Sequence, residues 1–286
     1  MQVEILSGVI TIDDPAGRRV KILKDEQALQ IAHNKGVSVG EVYVHALTLG
    51  ICPYRYLRNR ESISLKEQLQ LAQTHVAVVG AGGLGGQVIL LLARVGVGNL
   101  TVIDYDRFDE TNLNRQALCS MDMLGTFKSD AAVAVIGNIN PGVNILSRPQ
   151  RVVAANAEEI FAGSHLVVDA LDNVGDRFVI EKAARNLGIP LVHGALAGFE
   201  GQLMTIYPGD PGLQVLYGEG HSERDKTKSA EAIFGVPTLT PAFIATLQAM
   251  EVLKIILNRK EVFRNIMLHA DLENGVLEKF RFESPD

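Results

Sequence analysis

At 286 residues the chain is long enough for one large α/β domain or two smaller ones, and 47% hydrophobic with 21% charged residues is the composition of a globular rather than a disordered protein. A net charge of −6 and a pI near 5.7 argue against nucleic acid and membrane surfaces as partners. Cys52 and Cys119 have no partner at metal-ligand spacing, which excludes zinc sites built on paired C-x-x-C motifs. The N-terminus carries acids and lacks a basic region followed by an apolar one, and no apolar run reaches about 18 residues, so the cytoplasm is the expected compartment.

Residues 1–50 read as an arm or small appended subdomain, and 51–286 as the main domain. A strand is expected over 3–12, a turn over 13–17, and a returning strand over 20–23 that makes a hairpin. Apolar residues then recur at helical spacing over 25–33 and 39–49. The segment 55–73 is basic and leads into a helix, at whose start Ser64 and Glu67 stand in the S-x-x-E spacing of a capping box.

The stretch 75–104 organises the rest. A β-branched run at 76–79 meets Gly80, Gly82 and Gly85 in the spacing G-x-G-x-x-G; an apolar helical segment, 88–95, and a second strand, 100–103, follow and end on Asp104. Glycines let the backbone approach a phosphate, the helix N-terminus favours an anion, and a carboxylate at the second strand's tip can bond ribose hydroxyls. An adenine nucleotide is therefore expected, although NAD, FAD and ATP sites all use such glycines.

Further along, a helix is expected over 128–139, a strand over 143–147, a buried strand over 166–170, a helix over 178–187 and a strand over 190–193. Strands alternating with helices imply a doubly wound, mostly parallel sheet covered on both faces. A strand over 200–207 leads into a long polar stretch, 208–235, which reads as a functional or a mobile loop. Thr240 is expected to cap a helix over 242–257 with Pro241 at its first position, and strands over 266–271 and 276–282 flank a turn at Glu273-Asn274-Gly275, an antiparallel extension of the sheet. His75 and His193 lie beside apolar strands and read as satisfied core residues rather than catalysts.

Beyond Asp104-Tyr105-Asp106 the chain carries Asn112-Leu113-Asn114-Arg115-Gln116, then Lys128, then Asp172-Asn173 with Arg177. In order and rough spacing this set resembles the ThiF/MoeB/HesA family of adenylating enzymes, relatives of ubiquitin-activating enzymes, and the likeness runs from about Arg55 to Phe282. The resemblance implies a Rossmann-like fold that binds ATP with Mg2+. It implies a partner, a ubiquitin-like sulfur-carrier protein ending in Gly-Gly, whose terminal carboxylate is converted to an acyl-adenylate with release of pyrophosphate. By the same resemblance Arg115 and Lys128 hold the triphosphate, Asp172 beside Asn173 is the magnesium ligand, and Asp104 is the ribose ligand, with Asp106 a further candidate in the nucleotide site or else a surface acid. Asn112 and Asn114 would orient phosphates, and Arg58 would reach the ATP across a homodimer interface.

Two departures from that family carry weight. Many relatives hold zinc on two C-x-x-C pairs, and many place a cysteine in the loop before the long helix; this chain has neither, since no cysteine lies between Asp210 and Thr240. Adenylation without zinc and without an enzyme-bound thioester is the expectation. The alternatives are adenylation of a peptide or another carboxylate, an NAD-dependent oxidoreductase, and a binding protein that has kept the fold without the chemistry.

Overall fold

The computed structural model describes residues 1–218, 229–259 and 261–282. The chain opens with helix α1 (Gln2–Gly8), followed by β1 (Ile10–Asp13) and β2 (Arg19–Leu23), an antiparallel hairpin in register from Ile10 opposite Ile22 to Asp13 opposite Arg19. The strand expected over 3–12 is thus a helix for most of its length. Only Ile5 is fully buried there, whereas Val3 and Leu6 are exposed, and a single buried contact is met by a helical turn as well as by a strand, so packing overrides propensity.

Two helices follow, α2 (Asp25–Lys35), stopped by Gly36 in the left-handed region, and α3 (Val39–Thr48), opened by a Ser38/Glu41 capping box. Strand β3 (Cys52–Pro53) then pairs in parallel with β2 to complete a three-stranded sheet. These elements share a hydrophobic cluster that includes Ile5, Ile22, Val42 and Tyr43 and extends to Tyr56. A 3-10 turn (Tyr54–Asn59) connects to α4 (Leu65–Gln73), where Ser64 and Glu67 form the expected capping box.

The second sheet has eight strands. They are β4 (His75–Val79), β5 (Asn99–Ile103), β6 (Asn144–Arg148), β7 (Leu166–Asp169), β8 (Leu191–Ala197), β9 (Glu200–Ile206), β10 (Ile266–Asp271) and β11 (Val276–Arg281), in the spatial order β11-β10-β9-β8-β7-β4-β5-β6. The five from β6 to β8 run parallel; β9, β10 and β11 are antiparallel, and β10 and β11 form the expected hairpin. Between them lie α5 (Gly83–Val95), α6 (Lys128–Ile139), α7 (Ala157–Phe161), α8 (Val174–Asn186), α9 (Gln214–Tyr217), α10 (Ala230–Phe234) and α11 (Leu239–Ile256).

Period-two alternation assigns the strand residues to two cores. Val76, Val78, Leu100, Val102 and Val168 pack with α5, α6 and α11, while Ala77, Val79, Ile103 and Val167 face Phe161 and Ile180 on α7 and α8. Among the described residues α11 alone is long and apolar enough to cross a membrane. It carries Glu251 and Lys254, and its Ile244, Ala245 and Val252 are buried in the first core, so it is a cover of the sheet.

Thr240 does not cap α11. The helix starts earlier, after Thr238, because the Thr240 hydroxyl donates instead to the Gly198 carbonyl in the β8–β9 turn; Pro241 still falls in the first turn, where no N–H is needed. Of the long loop expected over 208–235, residues 219–228 lie outside the described residues, and the remainder includes α9 and α10.

Candidate active site

From β4 the chain moves outward to β5 and β6 and then crosses back to β7 on the other side of β4. That reversal opens a crevice at the carboxyl ends of β4 and β7, the position where open α/β sheets bind ligands. The two turns bounding it nearly touch. A Cβ on Gly80, which has φ +96°, would stand 2.5 Å from the Ala170 carbonyl oxygen, and one on Gly85 would stand 1.8 Å from that of Gly80. Only glycine lets α5 begin so close to its strand. The cleft that results has a volume of about 350 Å³, and Gly80, Gly82 and Gly83 line it beside the free N–H groups of the helix start. Gly85 shapes the cleft from beneath without lining it.

Asp104 stands at the end of β5. One carboxylate oxygen accepts the Ala81 N–H at 2.7 Å and the other the Asp106 N–H at 2.8 Å. Burial pushes its pKa up, opposed by the Ala81 amide and the Lys128 charge. Lys128, at the first turn of α6, is only 8% exposed, and its Nζ lies 3.1 Å from Asp106 Oδ2. Arg115 is steadied by the Thr111 carbonyl at 2.8 Å and by Asn114 Oδ1 at 2.9 Å. All of these cations and acids line the cleft. Among the described residues Gln116 Oε1 is buried with no partner, and its side chain comes within 3.7 Å of where a Gly82 Cβ would be. An orphaned amide beside a glycine turn suits a ligand with hydrogen-bonding groups of its own.

Across the cleft Asp172 and Asn173 follow β7, and Asn173 caps α8 by accepting the Asp176 N–H at 2.8 Å. Asp176 in turn binds Arg151 at 2.8 Å. Behind them is a buried network. The His193 Nδ1–H donates to Asp169 at 2.7 Å, and the Tyr217 hydroxyl, which accepts from Arg177 at 2.7 Å and from Gln202 at 2.9 Å, is left to donate to His193 Nε2 at 3.2 Å. Burial pushes the His193 pKa down although Asp169 pulls it up, so the imidazole is neutral and Arg177 balances the Asp169 charge. His193 is a satisfied core residue, as its place beside an apolar strand implied.

The sequence-derived residues therefore divide. Gly80, Gly82, Asp104, Asp106, Arg115, Lys128, Asp172 and Asn173 meet in the cleft. Asn112 and Asn114 do not: Asn112 is buried in the capping box of the 3-10 turn that precedes Arg115, and Asn114 braces Arg115 from outside. Arg58 is exposed on the 3-10 turn after β3, away from the cleft of its own chain. Sequence reasoning missed Gln150, Arg151, Asp176 and, from α10, Glu231. Arg151 had a usable signal in its place just beyond a parallel strand; Glu231 had none, because only the tertiary path of the chain returns it to the cleft. Among the described residues no three His, Cys, Asp or Glu side chains gather into a metal cage. A hard cation held here would draw oxygen ligands from a bound polyphosphate as well as from Asp172.

The profile of the ThiF family matches residues 56–286. Over 235 residues the chain is 37% identical to the SAMP-activating enzyme E1 of Haloferax volcanii, covering 81% of this chain and 86% of that one. Over 214 residues it is 36% identical to the sulfur carrier protein adenylyltransferase of Thermus thermophilus, covering 72% and 78%. The chain spans about half the length of other curated relatives, between 45% and 57%. A solved structure of E. coli MccB with AMPCPP and MccA matches with a TM-score of 0.68 at 18% identity, over 80% of this chain and 72% of that one, a likeness of fold.

Proposed function

The chain belongs to the ThiF family, and from that premise we propose that it uses ATP to adenylate the C-terminal glycine carboxylate of a ubiquitin-like sulfur-carrier protein ending in Gly-Gly. The observation that carries this reading is the meeting of a glycine turn, a helix N-terminus, Arg115, Lys128 and Asp172 at one switch point. The names of the two relatives, one SAMP-activating and one adenylating a sulfur carrier, support the choice of substrate. An oxidoreductase reading would leave these cations and Asp172 without a task, and membership of this family sets it aside.

In this reading Gly80, Gly82 and the start of α5 cradle the phosphates, and Asp104 with Asp106 holds the ribose end. A carboxylate oxygen of the carrier attacks the α-phosphorus; the bond from that phosphorus to the bridging oxygen breaks, and pyrophosphate leaves with the electron pair. Two anions must approach each other for this, so Arg115 and Lys128 have to neutralise charge as it develops. Magnesium, when bound by Asp172 beside Asn173 and by phosphate oxygens, supplies further neutralisation of the leaving group. Asn112 and Asn114 act through Arg115, by shaping the turn that aims it. Asp106 on Lys128, and the Thr111 carbonyl and Asn114 on Arg115, hold these cations in place before ATP arrives, so little reorganisation is left to the reaction itself.

Arg58 would complete the site from a second copy, which makes a homodimer part of the proposal. So is the division into an N-terminal unit, 1–50, and an adenylating domain, 51–286, and so is a cytoplasmic setting with neither nucleic acid nor membrane as partner. With no cysteine between Asp210 and Thr240, the adenylate would pass its acyl group on without an enzyme thioester. Zinc has no part in this scheme.

The test is ATP–pyrophosphate exchange with purified protein, magnesium and each candidate Gly-Gly carrier, beside a control without carrier. Exchange with a carrier and none in the control is expected. Tight ATP binding with no exchange for any carrier would redirect the substrate to a peptide or small-molecule carboxylate.

A further inference from the structure

The segment from Tyr54 to Glu61 carries four charged side chains, and three of them are tied to the N-terminal unit. The Arg55 guanidinium pairs with Asp25 on α2 and reaches the Tyr43 hydroxyl on α3 at 3.2 Å. Arg60 Nη1 lies 3.5 Å from Asp14 in the β1–β2 turn, and Glu61 binds Arg18 of the same turn at 2.8 Å. Asn59 is fastened on the other side, to Gln68 of α4 at 3.0 Å and to the Val95 carbonyl. Arg58 sits among these anchors, and among the described residues it forms no hydrogen bond or ion pair. A long, exposed cation left free on a segment whose other three charged residues have ion-pair partners is presented outward.

We propose that the N-terminal unit is a socket that positions Arg58 for the nucleotide cleft of a second copy, with Asp14 as its main positioning residue. The inference rests on the reading of Arg58 given above. Asp14 is chosen over Arg18 and Glu61 on physical grounds. The Arg18–Glu61 pair is open to water, with side chains 48% and 59% exposed, and such pairs hold little. The Asp14 side chain is 3% exposed; one oxygen accepts the Ala16 and Arg18 amides at 2.8 and 3.0 Å, which shapes the turn, and the other meets the Arg18 and Arg60 guanidinium groups. It therefore links the hairpin turn to the residue two places after Arg58.

ATP itself is the probe, measured by equilibrium dialysis with magnesium and without carrier, so the result does not depend on the adenylation substrate. Asp14→Asn keeps an oxygen for the turn amides and removes the charge that holds Arg60. The Asp14→Asn dimer should bind ATP about tenfold more weakly than wild type, as expected when one charge-assisted contact is misplaced. The decisive arm is a mixed dimer, prepared with two affinity tags from an Asp14→Asn chain and a Lys128→Ala chain. If Asp14 acts on its partner's cleft, the Asp14→Asn chain still owns a good cleft and receives an intact Arg58, so one tight site per dimer returns; an Arg58→Ala chain mixed with Lys128→Ala should do the same. No tight site in the Asp14→Asn mixture, with one in the Arg58→Ala mixture, would overturn the socket while leaving the trans arginine standing. Wild-type affinity in the Asp14→Asn dimer would overturn it too. Absence of a tight site in both mixtures would refute the Arg58 reading and the inference with it. Arg60→Ala carries the same pairings if Asp14→Asn does not fold.

Discussion

Lys128 and Cys119 show how differently two reactive side chains can be placed within one stretch of chain. The Lys128 ammonium is buried except toward the cleft, where Asp106 holds it. Cys119 packs against the first core and does not line the cleft, and burial raises its thiol pKa, so it is a poor nucleophile. Replacing Lys128 or Asp172 by alanine should lower pyrophosphate exchange by about 100-fold or more, the scale of losing one preorganised electrostatic group. Stability should change much less, within about 1 kcal/mol by urea unfolding. Cys119→Ala should retain exchange. Turnover that survives Lys128→Ala or Asp172→Ala would remove these residues from the site.

At the scale of elements, the nucleotide cleft exists because a helix and a strand approach more closely than a Cβ allows. Gly85→Ala forces a methyl to 1.8 Å from the Gly80 carbonyl oxygen, a clash with backbone that cannot rotate away. Overpacking of this kind costs about 1–3 kcal/mol, and here the helix start must also move off the phosphate position, so ATP binding should weaken as stability falls. Gly137, inside α6, makes the control: an added Cβ meets nothing within 4 Å, and Gly137→Ala should stabilise by about 0.5–1 kcal/mol with ATP binding unchanged. Urea unfolding and ATP titration of both variants check the contrast, and a neutral Gly85→Ala would contradict the packing described.

At the scale of the whole molecule, the network of Asp169, His193, Tyr217 and Arg177 ties β7, β8, α8 and α9 together behind the site. Burial holds the His193 pKa below its ordinary value near 6.5, so the folded protein resists a proton that the unfolded chain accepts. The stabilising contribution is therefore complete above about pH 6.5 and is lost as pH falls below it, until the folded pKa is reached, at up to about 1.4 kcal/mol per pH unit. A His193→Gln variant should be less stable at neutral pH and should show a shallower fall between about pH 6.5 and 5. Equal slopes for the two proteins would mean that the His193 pKa is the same in the folded protein as in the unfolded chain.

Local chemistry was enough to read the parallel core, the glycine turn and most of the cleft. A strand, a G-x-G-x-x-G turn and a strand-end acid, Asp104, constrain the backbone within one short stretch, and the motifs around Arg115, Lys128 and Asp172 follow at the ends of helices and strands. Where the physics was not local, the reading stopped. Whether residues 2–8 are helix or strand depends on where Ile5 is buried, and Thr240 leaves its capping role because Gly198, distant in sequence, offers a carbonyl. Asn112 and Asn114 stand in the right motif yet turn away, since the 3-10 turn uses Asn112 for its own amide and Asn114 for Arg115. Glu231 and the Asp14–Arg60 link belong to contacts between segments far apart in sequence, and no spacing rule reports those. The sequence by itself determined the glycine turn on which the cleft is built. The tertiary structure decided which side chains line it, because that depends on where distant segments find partners for buried charges and carbonyls.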